Sequence, residues 1–563
     1  MAKGRPGELM RKLPSVLPHS AHDSSSATLS PHHHVVSGYP CTEQTFVLDL
    51  TLTNMLSLHM LYAASFFRCV GVVRSRYARF FFGVFMTHGS PNRRRTWIDI
   101  LDDDSLLTIF YHRRPPVLLE EANSDDIALW GGRWECEYWW YKLAWVCRRW
   151  RCLILASPSY LGISLVCRSV TPVADMLAHS PLFPLIINHF PIHPTTTAEV
   201  AGRILLALEH RDRVRRIRLR VHDPPSMRLI EAIDEEFPLL EYLHIQPQTV
   251  LNTNLSLPST LRAPRLRHLV LHNFTFPIGS PLLVGLVTLS LEHNPSANFG
   301  PNELLQQLSL MPHLVTFKTS FHPALSNRHV ERQLSRMPLS THVTLPTLRW
   351  FGFEGPSAYV GAVLPRITMP LLKVTEIVLT TSDLPNLTSS MLFALQSMCK
   401  TENPRLYDVK ATFYNAHVVV TMYPHKRNGM PTLLLRLLDL HPATGLRFIV
   451  QVFDRTSAVF TEVESLTLED KTSWTLHRGF VIEAGWRGLL RLFNRVRTLH
   501  VSSGDLIEGL SRSLRSHDGE YAIGLLPMLR VLSCPEGSQV GESCVSFLAA
   551  RRNAGSPVTI SHH

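Results

Sequence analysis

At 563 residues the chain is too long for one ordinary core, so two or more domains, or one elongated repeat array, are expected. A hydrophobic fraction of 45% and a charged fraction of 18% let most of the chain bury a real interior. The formal net charge of +11 invites a nucleic-acid partner, yet Arg93-Arg94-Arg95, Arg148-Arg149 and the run Arg211 to Arg220 are short, separate and without interleaved aromatic platforms, so they read as solvated faces and no nucleic acid is expected.

Residues 1–45 are rich in Ser, His and Pro and have no sustained apolar period, so a disordered N-terminal segment is expected over 1–95. The His32-His33-His34 trio lacks a backing loop and is read as a solvated run, not a metal site. From Phe46 to Phe85 the chain is strongly apolar, but His59, Arg68, Arg74, Arg76 and Arg79 break the run, and a spanning helix needs roughly 20 uninterrupted apolar residues. The stretch reads as a buried helix or mis-assigned coding sequence in preference to a membrane anchor.

From Trp97 the pattern changes. Asp102-Asp103-Asp104-Ser105 precedes Leu106, Leu107, Ile109 and Phe110, so a short helix opens near Asp103 with Leu106, Leu107 and Phe110 on one face. A polar loop then carries Pro115-Pro116 and Gly131-Gly132. The run EYWWYKLAWVCRRWRCLILAS follows, with Trp139, Leu143, Val146 and Trp150 at helical spacing, and predicts one aromatic helix with that buried stripe.

Beyond residue 200 a short motif, apolar-x-x-apolar-x-apolar, recurs. It reads VRRIRL at Val214, LEYLHI at Leu240, LRHLVL at Leu266, LVTLSL at Leu286, LVTFKT at Leu314, LRWFGF at Leu348, VTEIVL at Val374, VESLTL at Val463, VRTLHV at Val496 and LRVLSC at Leu529. The central residues 217, 243, 269 and 289 lie 26, 26 and 20 apart, close to the roughly 20–29 residues of a leucine-rich repeat. The gap from Ile377 to Leu466 is expected to hide two poorly matching units, around ATFYNAHVVVTMY and LRFIVQVF. MRLIEAIDEEF, NELLQQLSLM and SSMLFALQSM have helical spacing and fit the convex side. Stacking would line polar strand positions along a concave surface suited to a protein partner, with Arg216, Arg218, Tyr242, His244, His268, Thr288 and Arg349 as candidates.

Nine cysteines without a CxxC pair argue against a disulfide framework or zinc ribbon, so a reduced compartment, cytoplasm or nucleus, is expected. No cleavable signal peptide is read, so the sequons at Asn254, Asn273 and Asn386 carry no weight. There is no phosphate-binding loop, GxGxxG, GxSxG or HExxH, and Cys147 beside Arg148 and Arg149 reads as a small core residue on the apolar helix, not a nucleophile. No catalytic residue, cofactor or metal is expected.

ILDDDSLLTIF together with WWYKLAWVCRRWRCLI resembles an F-box of the kind expanded in mushroom-forming fungi. Leu101 stands at the opening Leu and Asp102 at the usual Pro. Leu106 and Leu107 supply the Leu pair, Ile109 and Phe110 the Ile-Phe, and Val146-Cys147-Arg148-Arg149-Trp150 the close. SPSYLGISLVC and TPVADMLAHSPLFPLII continue the likeness to about residue 190. Asp for Pro at 102 removes a rigid helix start but offers a capping side chain. The resemblance implies docking on a Skp-type adaptor and through it a cullin, with Leu101, Leu106, Leu107, Ile109, Phe110, Val146 and Trp150 as adaptor-facing or F-box-core positions. It also implies a non-catalytic ubiquitin-ligase subunit whose repeats hold an unknown protein substrate.

The expected fold class is thus an α/β repeat solenoid, an irregular leucine-rich-repeat horseshoe, preceded by a small all-α F-box-like helical domain and a disordered N-terminus. The expected boundaries are 96–160 for the helical domain with an inserted loop at 112–137, 161–210 for a connecting segment, 211–545 for the repeats and 546–563 for a tail. A repeat scaffold without a ligase role is the alternative.

Overall fold

The structure, a computed structural model, describes residues 100–114, 139–168, 171–179, 182–190, 197–221, 224–247, 255–277, 279–294, 300–321, 341–380, 406–424, 431–438, 442–455, 460–471, 480–513, 524–536 and 542–562. The chain divides into two compact units, Met1–Thr96 and Trp97–His563, and the described residues belong to the second. The N-terminal expectations, most of the 112–137 loop and the helix expected at SSMLFALQSM lie outside the described residues.

The unit opens with helix α1, Asp103–Arg113. Asp102 caps it: its Oδ1 accepts from the Ser105 N–H at 2.7 Å, while Asp103 and Asp104 sit at the positive end of the helix dipole and Arg113 at the negative end. Leu106 and Phe110, four apart, face inward. The aromatic run that follows is two helices, not one: α2, Trp139–Ala144, and α3, Arg148–Ala156, separated by a turn in which Cys147 is extended as the cap of α3 and exposed, not the small core residue expected. On one straight helix Trp140 and Trp150 would point about 80° apart at 3.6 residues per turn. The break lets Trp140 meet the edge of Phe183 and Trp150 the edge of Phe110, and Arg151 Nε donates to the freed carbonyl of Ala144. A single turn, α4, Pro158–Leu161, ends on Gly162 at φ 62°. The left-handed backbone calls for glycine, whereas the Arg114 guanidinium, 2.7 Å from where a Cβ would stand, is the far end of a flexible side chain.

Among the described residues sixteen strands then form one sheet: β1 Leu165–Arg168, β2 Leu185–His189, β3 Val214–Val221, β4 Tyr242–Pro247, β5 His268–His272, β6 Thr288–Asn294, β7 Thr316–Phe321, β8 Trp350–Pro356, β9 Val374–Thr380, β10 Asp408–Phe413, β11 His417–Tyr423, β12 Leu433–Leu438, β13 Ser465–Asp470, β14 Thr498–Val501, β15 Val531–Cys534 and β16 Thr559–His562. Their order is β1 to β9 in sequence, then β12-β11-β10, then β13 to β16. All pairings are parallel except the two made by β11. The molecule is therefore an α/β fold with a large, mostly parallel sheet, compatible with a solenoid-like arrangement.

The motif leucines explain the register. Ile217, Leu243, Leu269, Leu289 and Phe317 are directly opposite one another from β3 to β7, each with 0% of its surface exposed. Their apolar row buries against the crossover segments, which include α5 Val173–His179, α6 Ala198–Glu209, α7 Pro224–Ala232, α8 Pro301–Ser309, α9 Ser357–Val363, α10 Pro442–Arg455, α11 Phe480–Arg491, α12 Gly504–Ser513 and α13 Glu542–Asn553. Each of α10 to α12 packs on the next helix. At Gly488 a Cβ would come 2.9 Å from Val450, so α11 approaches α10 more closely than a larger residue permits.

Three expectations are corrected. The gap before Leu466 holds three strands, β10 to β12, while LRFIVQVF lies within α10, where Leu446, Ile449 and Phe453 recur at helical spacing and are buried despite the β-branched composition. Ile377 pairs with Phe353, and Thr375 takes the place opposite Phe351, a slip of two residues that keeps the same face inward. The sheet also begins and ends outside 211–545: β1 and β2 precede it within the expected connecting segment, and β16 follows it within the expected tail. Among the described residues no helix is long and apolar enough to cross a membrane.

Candidate functional site

Two surfaces carry the candidate side chains. The first is the helical knob. Phe110 on α1 and Trp150 on α3 meet edge to face with ring centroids 4.7 Å apart. Arg149 ties the same helices by donating to the Leu101 carbonyl at 2.6 Å and to Asp103 Oδ1 at 2.7 Å. The segments near residues 101–110 and 146–150 are thus brought together.

Burial separates the candidate positions. Leu106 and Phe110 are each 1% exposed and belong to the core of the knob, so they are not contact surface in this structure. Leu101, Leu107, Ile109 and Trp150 are half-buried and pack on that core. Val146 is exposed; because it lies in the turn between α2 and α3, it does not join the buried stripe that helical spacing predicts. Sequence reasoning missed Ile100 and Trp145, which at 76% and 78% exposed stand, like Val146, among the exposed large apolar residues of the helical segment. The Trp140 and Trp150 indole N–H groups are buried without an acceptor.

The second surface is the sheet face opposite the motif leucines. Arg216, Tyr242, His268 and Thr288 stand in one row across β3 to β6, and Arg218 and His244 stand in the next. Arg349 lies just before β8, where Trp350 occupies the row position. Phe190, Arg220, His272, Glu292 and Lys318 join the face and were not singled out by pattern, because register alone brings them together. The guanidinium carbons of Arg218 and Arg220 lie 3.8 and 4.1 Å from the Phe190 ring centroid. His244 stacks on His272 at 5.1 Å, and its Nδ1 is 3.4 Å from the Tyr242 hydroxyl. Glu292 is held by His272 Nδ1 at 3.2 Å, Lys318 Nζ at 3.4 Å and the Ser290 hydroxyl at 3.1 Å. The run Arg211 to Arg220 is not uniformly the solvated face expected: Arg213 and Arg218 are buried, and Arg213 donates to the Phe183 carbonyl at 3.1 Å.

Electrostatics follow from this packing. Burial, and then the charges of His272, Arg218 and Arg220, hold His244 neutral, well below the usual imidazole range. Burial and Arg216 lower His268 as well. Burial pushes the Tyr242 hydroxyl up to about 12, and pushes the Glu292 carboxyl up too, but His272, Lys318 and Ser290 outweigh it and leave Glu292 below the usual carboxylate range. The face is thus an array of guanidinium groups and closely packed rings.

No protein-family model matches the chain, and the comparison with curated proteins finds no match.

Proposed function

We propose that the chain is the substrate-receptor subunit of a Skp-cullin-F-box type ubiquitin ligase. The helical knob docks on a Skp-type adaptor, and through it a cullin, while the polar sheet face receives the protein to be ubiquitinated. The observation that carries this is the junction of α1 and α3. Phe110 and Trp150 close a small apolar core, Arg149 locks it from the rim, and Ile100, Trp145 and Val146 are left as apolar surface that a partner would cover. The sheet is that of an irregular leucine-rich-repeat horseshoe: units that cannot bury their own apolar face do so by stacking, as the row through Leu243, Leu269 and Leu289 does. The subunit is non-catalytic, uses no cofactor and works in the cytoplasm or nucleus.

The burial of Leu106 and Phe110, which makes them core and not contact surface, favours a second reading, a repeat scaffold with no ligase role. Co-purification of the full chain with a Skp-type adaptor separates them. The receptor reading expects a complex that Val146→Asp and Leu107→Asp each disrupt by placing a charge in a dry interface. A folded, unmodified chain that binds no adaptor leaves the scaffold.

A further inference from the structure

Strand β4 reads YLHIQP and β5 reads HLVLH, so the two-residue alternation puts His244 and His272 on the same face, opposite the motif leucines. Register places His244 beside Val270 and His272 beside Glu292, and the two rings stack diagonally across the strand boundary. Their centroids are 5.1 Å apart with planes 25° from parallel, and the residues are 7% and 6% exposed. Phe190 lies 5.3 Å from His244 and carries the Arg218 and Arg220 guanidinium groups over its ring. The two imidazoles are not equivalent. His272 has a carboxylate, because Glu292 Oε2 is 3.2 Å from its Nδ1, while Lys318 and the Ser290 hydroxyl hold Oε1. His244 has the Tyr242 hydroxyl 3.4 Å from Nδ1, and its buried Nε2 has no hydrogen-bond partner.

We infer that the His244–His272 stack is a proton-operated joint between β4 and β5, opened by acid while the rest of the sheet stays closed. A proton on His272 is neutralised where it sits, by Glu292. A proton on His244 would be buried, and then face the charges of His272, Arg218 and Arg220. The other groups around the stack supply no counter-charge. Tyr242 stays neutral, Arg216 and His268 stand beside it in the adjoining row, and Glu241 at the entrance to β4 is paired with Arg215 at 2.8 Å. Separating the strands returns His244 to water and to the ordinary imidazole range, so the open form takes a proton that the closed form refuses. Closure is therefore fully supported above about pH 6.5 and weakens as pH falls, and one such proton raises the opening constant about tenfold between pH 7.5 and 5.5. The joint lies on the face assigned above to the target protein, but it depends on packing alone and not on what docks there.

Hydrogen–deuterium exchange of the full chain at pH 7.5 and 5.5, corrected for the intrinsic dependence of exchange on pH, reads the opening strand by strand. Amides of β4 and β5 should lose about tenfold in protection at pH 5.5, while those of β9 and β15, which carry no histidine and lie farther along the sheet, should keep theirs. This profile needs no variant to fold. His244→Gln puts a polar side chain that takes no proton in the stack and should abolish the loss, whereas His268→Gln, one row away, should leave it intact. Equal protection of β4 and β5 at the two pH values, or a loss spread evenly over all four strands, overturns the inference. So does an undiminished loss in folded His244→Gln, or its disappearance in His268→Gln.

Discussion

Individual side chains in the knob divide into those that hold it together and those that it presents. Val146 is 53% exposed, so Val146→Asp should abolish adaptor co-purification while moving the unfolding midpoint little, as surface changes do. Phe110→Asp buries an unpaired charge and should cost more than about 3 kcal/mol, read as loss of the cooperative thermal transition of the knob rather than as a selective binding defect. Trp150 offers a finer test. Its buried indole N–H has no acceptor, so Trp150→Phe keeps a ring against Phe110 and removes an unsatisfied donor. It should unfold within about 1 kcal/mol of the parent in urea, whereas Trp150→Ala should cost about 3 kcal/mol or more. On the sheet, His244 is held neutral by burial and neighbouring cations, so the unfolded chain takes up a proton there that the folded chain refuses. This contribution is fully present above the ordinary imidazole range and is lost as pH falls below about 6.5. The unfolding midpoint should therefore drop between pH 7.5 and 5.5, and His244→Gln should flatten that slope; an identical slope in both proteins would exclude the assignment.

At the scale of helices and strands, local signals located most elements and tertiary contacts settled their limits. Asp102-x-x-Ser105 was readable as a helix start because capping is chemistry within one turn, and the cap is there. The break after Ala144 was not readable, since helical spacing runs straight through Trp139, Leu143, Val146 and Trp150. It is imposed by two distant rings, Phe110 and Phe183, that draw neighbouring tryptophans in different directions. LRFIVQVF failed for a related reason: its β-branched residues suit a strand, but its apolar spacing found the back of the sheet. The polar face was legible only in part, because Arg216 and Tyr242 sit inside the motif, whereas Phe190 and Lys318 become their neighbours through register. Gly488 tests helix stacking. Gly488→Leu would press on Val450 and separate α11 from α10, lowering the thermal midpoint by an overpacking cost of about 1–3 kcal/mol, while Gly509→Ala, with open space around it, should not.

Taken whole, the sheet is built mostly by addition, each strand laid against its predecessor, and such an array distributes stability through nearest-neighbour interfaces. The departure is at β10 to β12. After β9 the chain skips two places, makes β10, reverses through β11, and only with β12 returns to the edge it left, so that Thr375 meets Leu433. Strands β1 to β9 can be seated one at a time as they leave the ribosome, but the next three cannot. They must be completed as a block, and until Leu438 is available β9 offers an open edge on which a foreign strand could seat itself. A chaperone that shields this edge during synthesis would have one interval in which to act, bounded by the emergence of Thr380 and that of Leu438.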